Sequence, residues 1–204
     1  MRGRPLDIAI AGSVVVLTAP LMAIIAFAVR LSSRGPIIFR AARVGREDTR
    51  FTLYKFRSMH IATETGAGIT VSGDDRITKV GRLLRRTKLD ELPQMFNVLK
   101  GQMNIVGPRP EDPLYADWYP EELKQIFKFR PGITSPASVT FRDEEERLAR
   151  LITDGSTLEA AYRTVLAQKI PIDLEYFASR TIASDLKWIA RTFAAMLAVR
   201  PTES

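Results

Sequence analysis

The most regular feature of the hydrophobic and polar pattern is an unbroken run of 22 uncharged residues at positions 8–29. A helix needs about 20 predominantly apolar residues to cross the hydrocarbon core of a bilayer. A buried core helix of this length rarely lacks every charge. A cleaved signal peptide could end at Ala26-Phe27-Ala28, but the Arg-rich sequence that follows is a poor start for a secreted domain. The pattern therefore predicts a retained membrane segment.

Pro20 lies near the middle of this segment, where it removes a backbone donor and favours a kink or a break. Basic residues flank the segment on both sides, so the positive-inside rule places both ends in the cytoplasm. A helix–break–helix hairpin that returns to the same face satisfies this rule, and Thr18 could then bind backbone groups freed at Pro20. The residues alone are equally compatible with a kinked helix that crosses the membrane and has its more basic second flank in the cytoplasm.

The rest of the chain predicts a mostly helical α/β domain with short strands. Strands are expected at 36–39 and 51–56, a loop at 61–75 and an irregular segment at 107–113. Apolar spacings of three and four residues predict helices at 77–86, 89–99, 120–129, 144–151, 157–167 and 171–199. The apolar stripe of the last helix is either core or a face on the bilayer surface. We expect two parts, a membrane helix over residues 1–33 and a globular domain over residues 34–204.

Composition and charge narrow the chemistry. The chain has no Cys and one His, which excludes disulfide scaffolds, thiol catalysis and multi-His metal sites. Residues 1–60 contain ten Lys and Arg against three acids, a net charge of +7, whereas residues 61–204 contain twenty of each. Because the excess charge lies beside the apolar segment, it favours an anionic membrane surface over nucleic acid.

Residues 85–94 are the strongest candidate for a catalytic site. Thr87, three residues before Asp90, resembles a capping box, and Pro93 is tolerated only in a first helical turn or at a kink. Asp90 and Glu91 would then lie at a helix start, where the dipole lowers the pKa of a carboxylate and backbone N–H groups favour phosphate. An ionised Asp there suits attack on phosphate, with positive charge supplied by Arg85, Arg86 and Lys88. Acids in a first helical turn are also common as simple helix stabilisers.

Two further segments present cations. Arg109 stands between two prolines, which is a rigid way to offer a guanidinium to phosphate. Lys55 and Arg57 alternate with apolar residues, so a strand would direct both to one face. Each segment also has a simpler explanation. Arg109 could be a solvated side chain in a Pro-rich turn, and Lys55 and Arg57 could be outward charges on a half-exposed strand.

In order and spacing, these pieces resemble the bacterial sugar transferases of the monotopic phosphoglycosyl transferase superfamily. After the apolar segment with its proline, the matching motifs are Tyr54-Lys55-Phe56-Arg57-Ser58-Met59, Leu89-Asp90-Glu91-Leu92-Pro93-Gln94, Asn97-Val98-Leu99-Lys100-Gly101, Val106-Gly107-Pro108-Arg109-Pro110 and Arg130-Pro131-Gly132-Ile133-Thr134. Together they extend over residues 1–142, and this makes the resemblance far more specific than any single motif.

The resemblance implies transfer of a sugar-1-phosphate from a UDP-sugar to a polyprenol phosphate such as undecaprenyl phosphate, with Mg²⁺ and release of UMP. It implies that Asp90 is the nucleophile, which forms a covalent phosphosugar intermediate. Glu91 would assist as a metal ligand or as a base, so the metal site would be these two carboxylates. The substrate-binding positions carried over are Lys55, Arg57, Arg86, Arg109, Arg130 and Arg142.

The resemblance also implies a location. The apolar segment would be re-entrant and broken at Pro20. Residues 34–204 would be a catalytic domain at the cytoplasmic face of the bacterial inner membrane, a monotopic arrangement held by interfacial amphipathic helices and by anionic lipid.

The sequence departs from the family pattern at 135–141, where many members continue with Gly-Trp and later Asn-Gly-Arg. This departure leaves the sugar and nucleotide preference open. The alternative to an enzyme is a membrane-anchored adaptor in which Asp90 and Glu91 only begin a helix. A nucleic-acid binder is disfavoured, because residues 61–204 have no net charge.

Overall fold

The computed structural model describes residues 3–60 and 75–197, and it is mostly helical with short strands, as predicted. The predicted loop at 61–75 falls almost entirely outside the described residues. The helices are α1 Arg4–Ser32, α2 Lys79–Thr87, α3 Gln94–Leu99, α4 Pro113–Ala116, α5 Pro136–Thr140, α6 Glu144–Thr153, α7 Leu158–Ser179 and α8 Ile182–Leu197. The strands are β1 Ile38–Val44, β2 Arg50–Phe56, β3 Asn104–Val106 and β4 Gly132–Thr134. Three-residue-turn (3₁₀) helices cover Arg46–Asp48, Leu89–Glu91 and Glu121–Lys128, the last in place of the α-helix predicted at 120–129.

The first sheet is the antiparallel hairpin of β1 and β2. Strand β2 matches the strand predicted at 51–56, whereas β1 begins two residues later than the strand predicted at 36–39 and extends to Val44. Its register places Ile38 opposite Phe56 at one end and Val44 opposite Arg50 at the other. Leu53 of β2 is buried in the main core, whereas Phe56 is buried in a second, smaller core. The hairpin therefore joins the two cores of the domain.

The second sheet, the parallel pair β3 and β4, has no counterpart in the sequence predictions. Just beyond it, a Cβ added to Gly132 would lie 2.1 Å from the backbone nitrogen of Gly107. A Cβ added to Gly107 would lie 2.5 Å from the carbonyl oxygen of Arg130. Only glycine allows backbones to approach this closely. The contact therefore fixes the direction in which the chain leaves β3 towards Arg109.

Helix α1 is continuous through Pro20, so the chain does not unwind at this residue, while the expected kink and the re-entrant course stay predictions. A proline inside a helix removes one hydrogen bond and often only bends the axis, and neighbouring turns can hold the helix together. The Thr18 hydroxyl donates to the carbonyl oxygen of Val14, 2.7 Å away, which is an ordinary bond within the helix rather than a repair of a break. By length and composition α1 could cross a membrane.

Both halves of α1 pack against the same domain. Near its start, the Arg4 guanidinium donates to the carbonyl oxygen of Val98 at 2.6 Å, and the Asp7 carboxylate accepts from the backbone N–H of Ile105 at 3.0 Å. Near its end, Ile25 and Val29 are buried in the smaller core. Only three residues of the helix are buried. This excludes the alternative that the apolar run forms a helix inside the core.

The outward side of α1 is apolar. Its most exposed large side chains have between 66% and 79% of their surface accessible, and they are Val16, Leu17, Ile24, Phe27 and Leu31. Helical spacing places them on one face, opposite the buried residues. One side of α1 is therefore packed on protein, while the other offers a continuous apolar surface.

Arg57 holds the end of α1. This side chain is buried, and its guanidinium donates to the carbonyl oxygens of Pro36 at 2.5 Å and Ser33 at 2.6 Å. It also reaches the Ser33 hydroxyl and, at 3.3 Å, the carbonyl oxygen of Val29. All of these acceptors belong to residues 29–36, so Arg57 caps a helix. This position differs from the substrate contact that the sequence predicted.

The helices at the C-terminal end have different boundaries from those predicted. Helix α7 runs through Pro171, so the expected helix start at this proline is wrong. The buried neighbours Leu166 and Ile170 hold the helix in the main core on the preceding turn. Helix α8 presents exposed apolar side chains at Ile182, Leu186 and Phe193.

Asp173 of α7 is a buried carboxylate outside the predicted site. It is 1% exposed and accepts a hydrogen bond from the Ala137 N–H at 2.9 Å. Burial raises the pKa of Asp173 to about 6, although hydrogen bonds from Ala137 and Ser135, together with Lys169, lower it. The folded protein therefore binds this proton more tightly than the unfolded chain, whose Asp pKa is near 3.8.

Stability should therefore depend on pH through Asp173. Because the folded pKa is the higher one, the free energy of unfolding should fall by about 3 kcal/mol as pH rises from about 4 to about 6, and then stay level. Asp173→Asn keeps the acceptor for Ala137 and removes the charge. We expect its thermal unfolding midpoint in detergent to vary less over this interval and to exceed that of the wild type at pH 7.5.

The matched control is Asp154→Asn, at an exposed carboxylate that ends α6. It should unfold with the pH dependence of the wild-type protein. An identical pH dependence in Asp173→Asn and the wild type would contradict the assignment.

Candidate active site

The candidate dyad lies in a tight turn between α2 and α3. Lys88 ends α2 in the left-handed conformation, with φ of 56°, which costs a non-glycine residue about 1 kcal/mol. Asp90 and Glu91 then form the 3₁₀ turn Leu89–Glu91, and Pro93 precedes α3. The Thr87 hydroxyl donates to the carbonyl oxygen of Leu83 at 2.8 Å. The predicted capping box is therefore wrong, because Thr87 closes the preceding helix instead of starting the next one.

Glu91 is fixed by an ion pair with the hairpin. The Lys55 ammonium donates to Glu91 Oε1 at 2.8 Å, and both side chains are largely shielded from solvent. Burial alone would raise the pKa of Glu91, but Lys55, Lys88 and Arg109 lower it to about 2. Glu91 therefore stays ionised, as predicted, although neighbouring cations rather than a helix dipole are the cause.

Asp90 behaves differently. It is 6% exposed, and its Oδ1 atom is buried without a hydrogen-bond partner among the described residues. Burial raises the pKa of Asp90 and the charge of Glu91 adds to this, whereas Lys55, Lys88 and Arg85 lower it. The predicted lowering of its pKa is therefore wrong in direction. A buried carboxylate oxygen without a partner is costly in a native fold, and it marks a place where a ligand could bind.

Arg109 faces the same turn from the loop after β3. Its side chain is exposed. Neighbouring protein atoms displace some water from the guanidinium, but the charges of Glu144 and Glu91 outweigh this effect and raise the pKa of Arg109. Arg109 therefore lies within the electrostatic reach of the dyad. The loop is held by Glu111, whose Oε2 accepts from the hydroxyls of Tyr119 at 2.7 Å and Tyr162 at 2.6 Å.

The cations just before the dyad do not contribute equally. Arg85 and Lys88 both act on the pKa of Asp90, and Arg85 also pairs with Glu145 of α6 at 2.5 Å. Arg86 is exposed on α2. The substrate-binding positions carried over from the resemblance include Lys55 but leave out Arg85 and Lys88, which also act on Asp90. Helical periodicity alone does not fix which of several adjacent side chains turns towards a neighbouring loop.

Among the described residues, the two remaining predicted contacts, Arg130 and Arg142, form no hydrogen bond or ion pair with Asp90 or Glu91. Arg130 reaches Asn104 Oδ1 at 3.5 Å and has Arg4 and Arg46 as its charged neighbours. Arg142 is exposed at the end of α5. The sequence also missed Glu144, which lies between Arg109 and the buried Lys169, at 2.7 Å from the Lys169 ammonium. The acidic run at 143–146 would have been the only signal for this contact.

The donor set fits a magnesium ion that binds together with phosphate. Among the described residues, no three His, Cys, Asp or Glu side chains are grouped as metal ligands. Mg²⁺ in phosphoryl-transfer sites is commonly held by one or two carboxylates, with water and substrate phosphates as the other ligands. The unpartnered Oδ1 of Asp90 and the neighbouring Glu91 carboxylate match that pattern.

The family of this chain is shown by comparison with known proteins. The model of the family described as "Bacterial sugar transferase" matches residues 1–199. A UDP-glucose:undecaprenyl-phosphate glucose-1-phosphate transferase of Caulobacter vibrioides is 36% identical over 203 residues, which are 97% of this chain and 70% of that protein. The transferase with the same name in Escherichia coli is 36% identical over 93% of this chain, but this chain spans only 39% of its length.

A third relative differs in its sugar. The UDP-N-acetylgalactosamine-undecaprenyl-phosphate N-acetylgalactosaminephosphotransferase of Aeromonas hydrophila is 42% identical over 140 residues, which are 67% of this chain and 33% of that protein. With a family model that matches nearly its whole length and relatives aligned over most of it, this chain belongs to the bacterial sugar transferase family.

Proposed function

We propose that the protein transfers a sugar-1-phosphate from a UDP-sugar to a polyprenol phosphate such as undecaprenyl phosphate and releases UMP. The names of the relatives support the substrate classes. The observation that carries the proposal is the buried, unpartnered Oδ1 of Asp90, which lies beside an ion-paired Glu91 and within reach of several cations.

Asp90 is the nucleophile of the proposed reaction. One of its carboxylate oxygens attacks the phosphorus next to the sugar, and the bond between this phosphorus and the bridging oxygen breaks. UMP leaves with the electron pair, and Asp90 carries the phosphosugar. An oxygen of the lipid phosphate then attacks the same phosphorus, the bond to Asp90 breaks, and the product is a polyprenol diphosphate sugar.

The neighbouring side chains have separate roles. Lys88 and Arg109 neutralise the charge of the donor phosphates, as fixed cations do in phosphoryl transfer. Lys55 holds Glu91 in place. Asp90 and Glu91 would hold Mg²⁺, which supplies further positive charge to the diphosphate when it is bound.

Asp90→Asn should abolish turnover in a protein that still folds. The substitution is isosteric, but an amide is a far weaker nucleophile, so we expect release of UMP to fall by at least about 10³-fold. The assay is UMP release from a panel of UDP-sugars by purified protein with Mg²⁺ and polyprenol phosphate.

Asp154→Asn again serves as the control, because it removes one exposed carboxylate and should retain wild-type turnover. Full activity of Asp90→Asn would contradict the assignment of Asp90 as the nucleophile. The absence of sugar-dependent UMP release from the wild-type protein, with every donor tested, would favour the adaptor.

We further propose that the chain is monotopic at the cytoplasmic face of the bacterial inner membrane, with both ends of α1 on that side. The packing of both halves of α1 against one domain supports this arrangement. A straight span would separate the two ends by about 30 Å of hydrocarbon, and one domain could not contact both. The exposed apolar face of α1, and that of α8, would then meet lipid.

The absence of Cys from the chain allows a direct test of this topology. We expect single cysteines at two exposed positions, Pro5→Cys and Ala160→Cys, to be protected from an impermeant maleimide in intact spheroplasts. Both should react after permeabilisation, which serves as the control for accessibility. Labelling of Pro5→Cys in intact spheroplasts would place the N-terminus outside the cell, and a kinked helix that crosses the membrane would be the remaining topology.

A further inference from the structure

A cleft rich in arginine lies at the turn of the hairpin. It has a volume of about 390 Å³, which is within the usual range for small-molecule sites. Its lining includes Arg46, Arg50 and Arg130, with Phe51 and Gln102 on the other walls. Glu47 is the one acid that lines the cleft, and it pairs with Arg46 at 2.6 Å.

The positive charge of the cleft is not balanced. Three arginines against one glutamate leave a net charge of +2 on the lining. Arg4 adds to this, because its guanidinium nitrogen lies 3.3 Å from the position of a Cβ on Gly101, a lining residue. Burial and the charges of Arg4 and Arg46 lower the pKa of Arg130. Like charges held this close together favour a bound anion, and Arg forks suit phosphate oxygens.

The cleft is separate from the Asp90 site. Lys55, which binds Glu91, and Arg50, which lines the cleft, are both on β2 and are five residues apart, or about 17 Å at the rise of a strand. The charged groups that act on Asp90 belong to residues 55–91, whereas those that act on Arg130 are Arg4, Arg46 and Asp7.

The position of the cleft favours a lipid headgroup as its occupant. Arg4 begins α1, and the exposed apolar Ile8 follows one turn later, about 6 Å along the axis. The cleft therefore adjoins the first apolar turn of α1, the helix proposed above to meet lipid. Basic residues that flank an apolar membrane segment lie among the lipid headgroups.

We propose that this cleft binds the phosphate of an anionic phospholipid, at a site distinct from that of the substrates. Arg46, Arg50 and Arg130 contact the phosphodiester, and Arg4, which donates to the carbonyl oxygens of Val98 and Leu99, ties the cleft to the start of α1. The inference rests on the proposed placement of α1 but not on the transfer reaction.

The test uses the purified full chain in a non-ionic detergent. Native mass spectrometry counts the lipids retained after addition of phosphatidylglycerol or phosphatidylcholine. We expect one phosphatidylglycerol per chain to be retained in preference to phosphatidylcholine. Arg46→Gln combined with Arg50→Gln should weaken its binding by about 30-fold, since each arginine near an anionic lipid contributes about fivefold.

The matched control is Arg82→Gln combined with Arg150→Gln, which removes the same charge from exposed positions on α2 and α6. It should retain phosphatidylglycerol like the wild type. Equal losses in both double variants would show a non-specific charge effect and overturn the site. Thermal unfolding of each variant shows that it is folded before lipid binding is measured.

Two further probes distinguish the source of the phosphate. Neither inorganic phosphate nor UDP at millimolar concentration should displace the retained lipid. Displacement by inorganic phosphate would overturn the preference for lipid, and displacement by UDP would show that the cleft binds the donor nucleotide instead. Lipid binding is measured without turnover, so a failure here is distinguishable from a failure of the proposed reaction.

Discussion

The ion pair between Lys55 and Glu91 is the interaction on which the rest of the site depends. It joins the hairpin to the turn that carries both carboxylates, with 2.8 Å between the charged atoms. Burial raises the pKa of Asp90 and the charge of Glu91 adds to this, while Asp90 Oδ1 has no hydrogen-bond partner in the described part of the chain. Loss of one partner from such a shielded pair costs about 2 kcal/mol or more. The same ion pair therefore stabilises the fold and positions the carboxylates of the candidate site.

Local sequence patterns predicted the parts of the fold that depend on local interactions. Alternation predicted the hairpin, apolar spacing predicted α2, and the run at 8–29 predicted α1. The motif around Asp90 marked the turn that contains the unpartnered carboxylate. Each of these signals is contained within about 20 neighbouring residues, so no long-range contact was needed to find it.

Contacts between distant segments were not predictable in this way. Gly107 approaches Gly132 at the end of the second sheet, and neither glycine indicates its partner in a single sequence. Arg57 has the alternation of a strand residue, yet its acceptors lie at the end of α1. Pro20 and Pro171 each lie inside a continuous helix, from which a proline removes only one backbone hydrogen bond.

Asp90, the proposed nucleophile, should become covalently linked to the phosphosugar during turnover. The most direct test is the intact mass of the protein after incubation with a reactive UDP-sugar and Mg²⁺ but without lipid. We expect the mass to increase by one phosphosugar, located on the peptide that contains Asp90 and removed by polyprenol phosphate. An unchanged mass in a preparation that still releases UMP when lipid is added would contradict it.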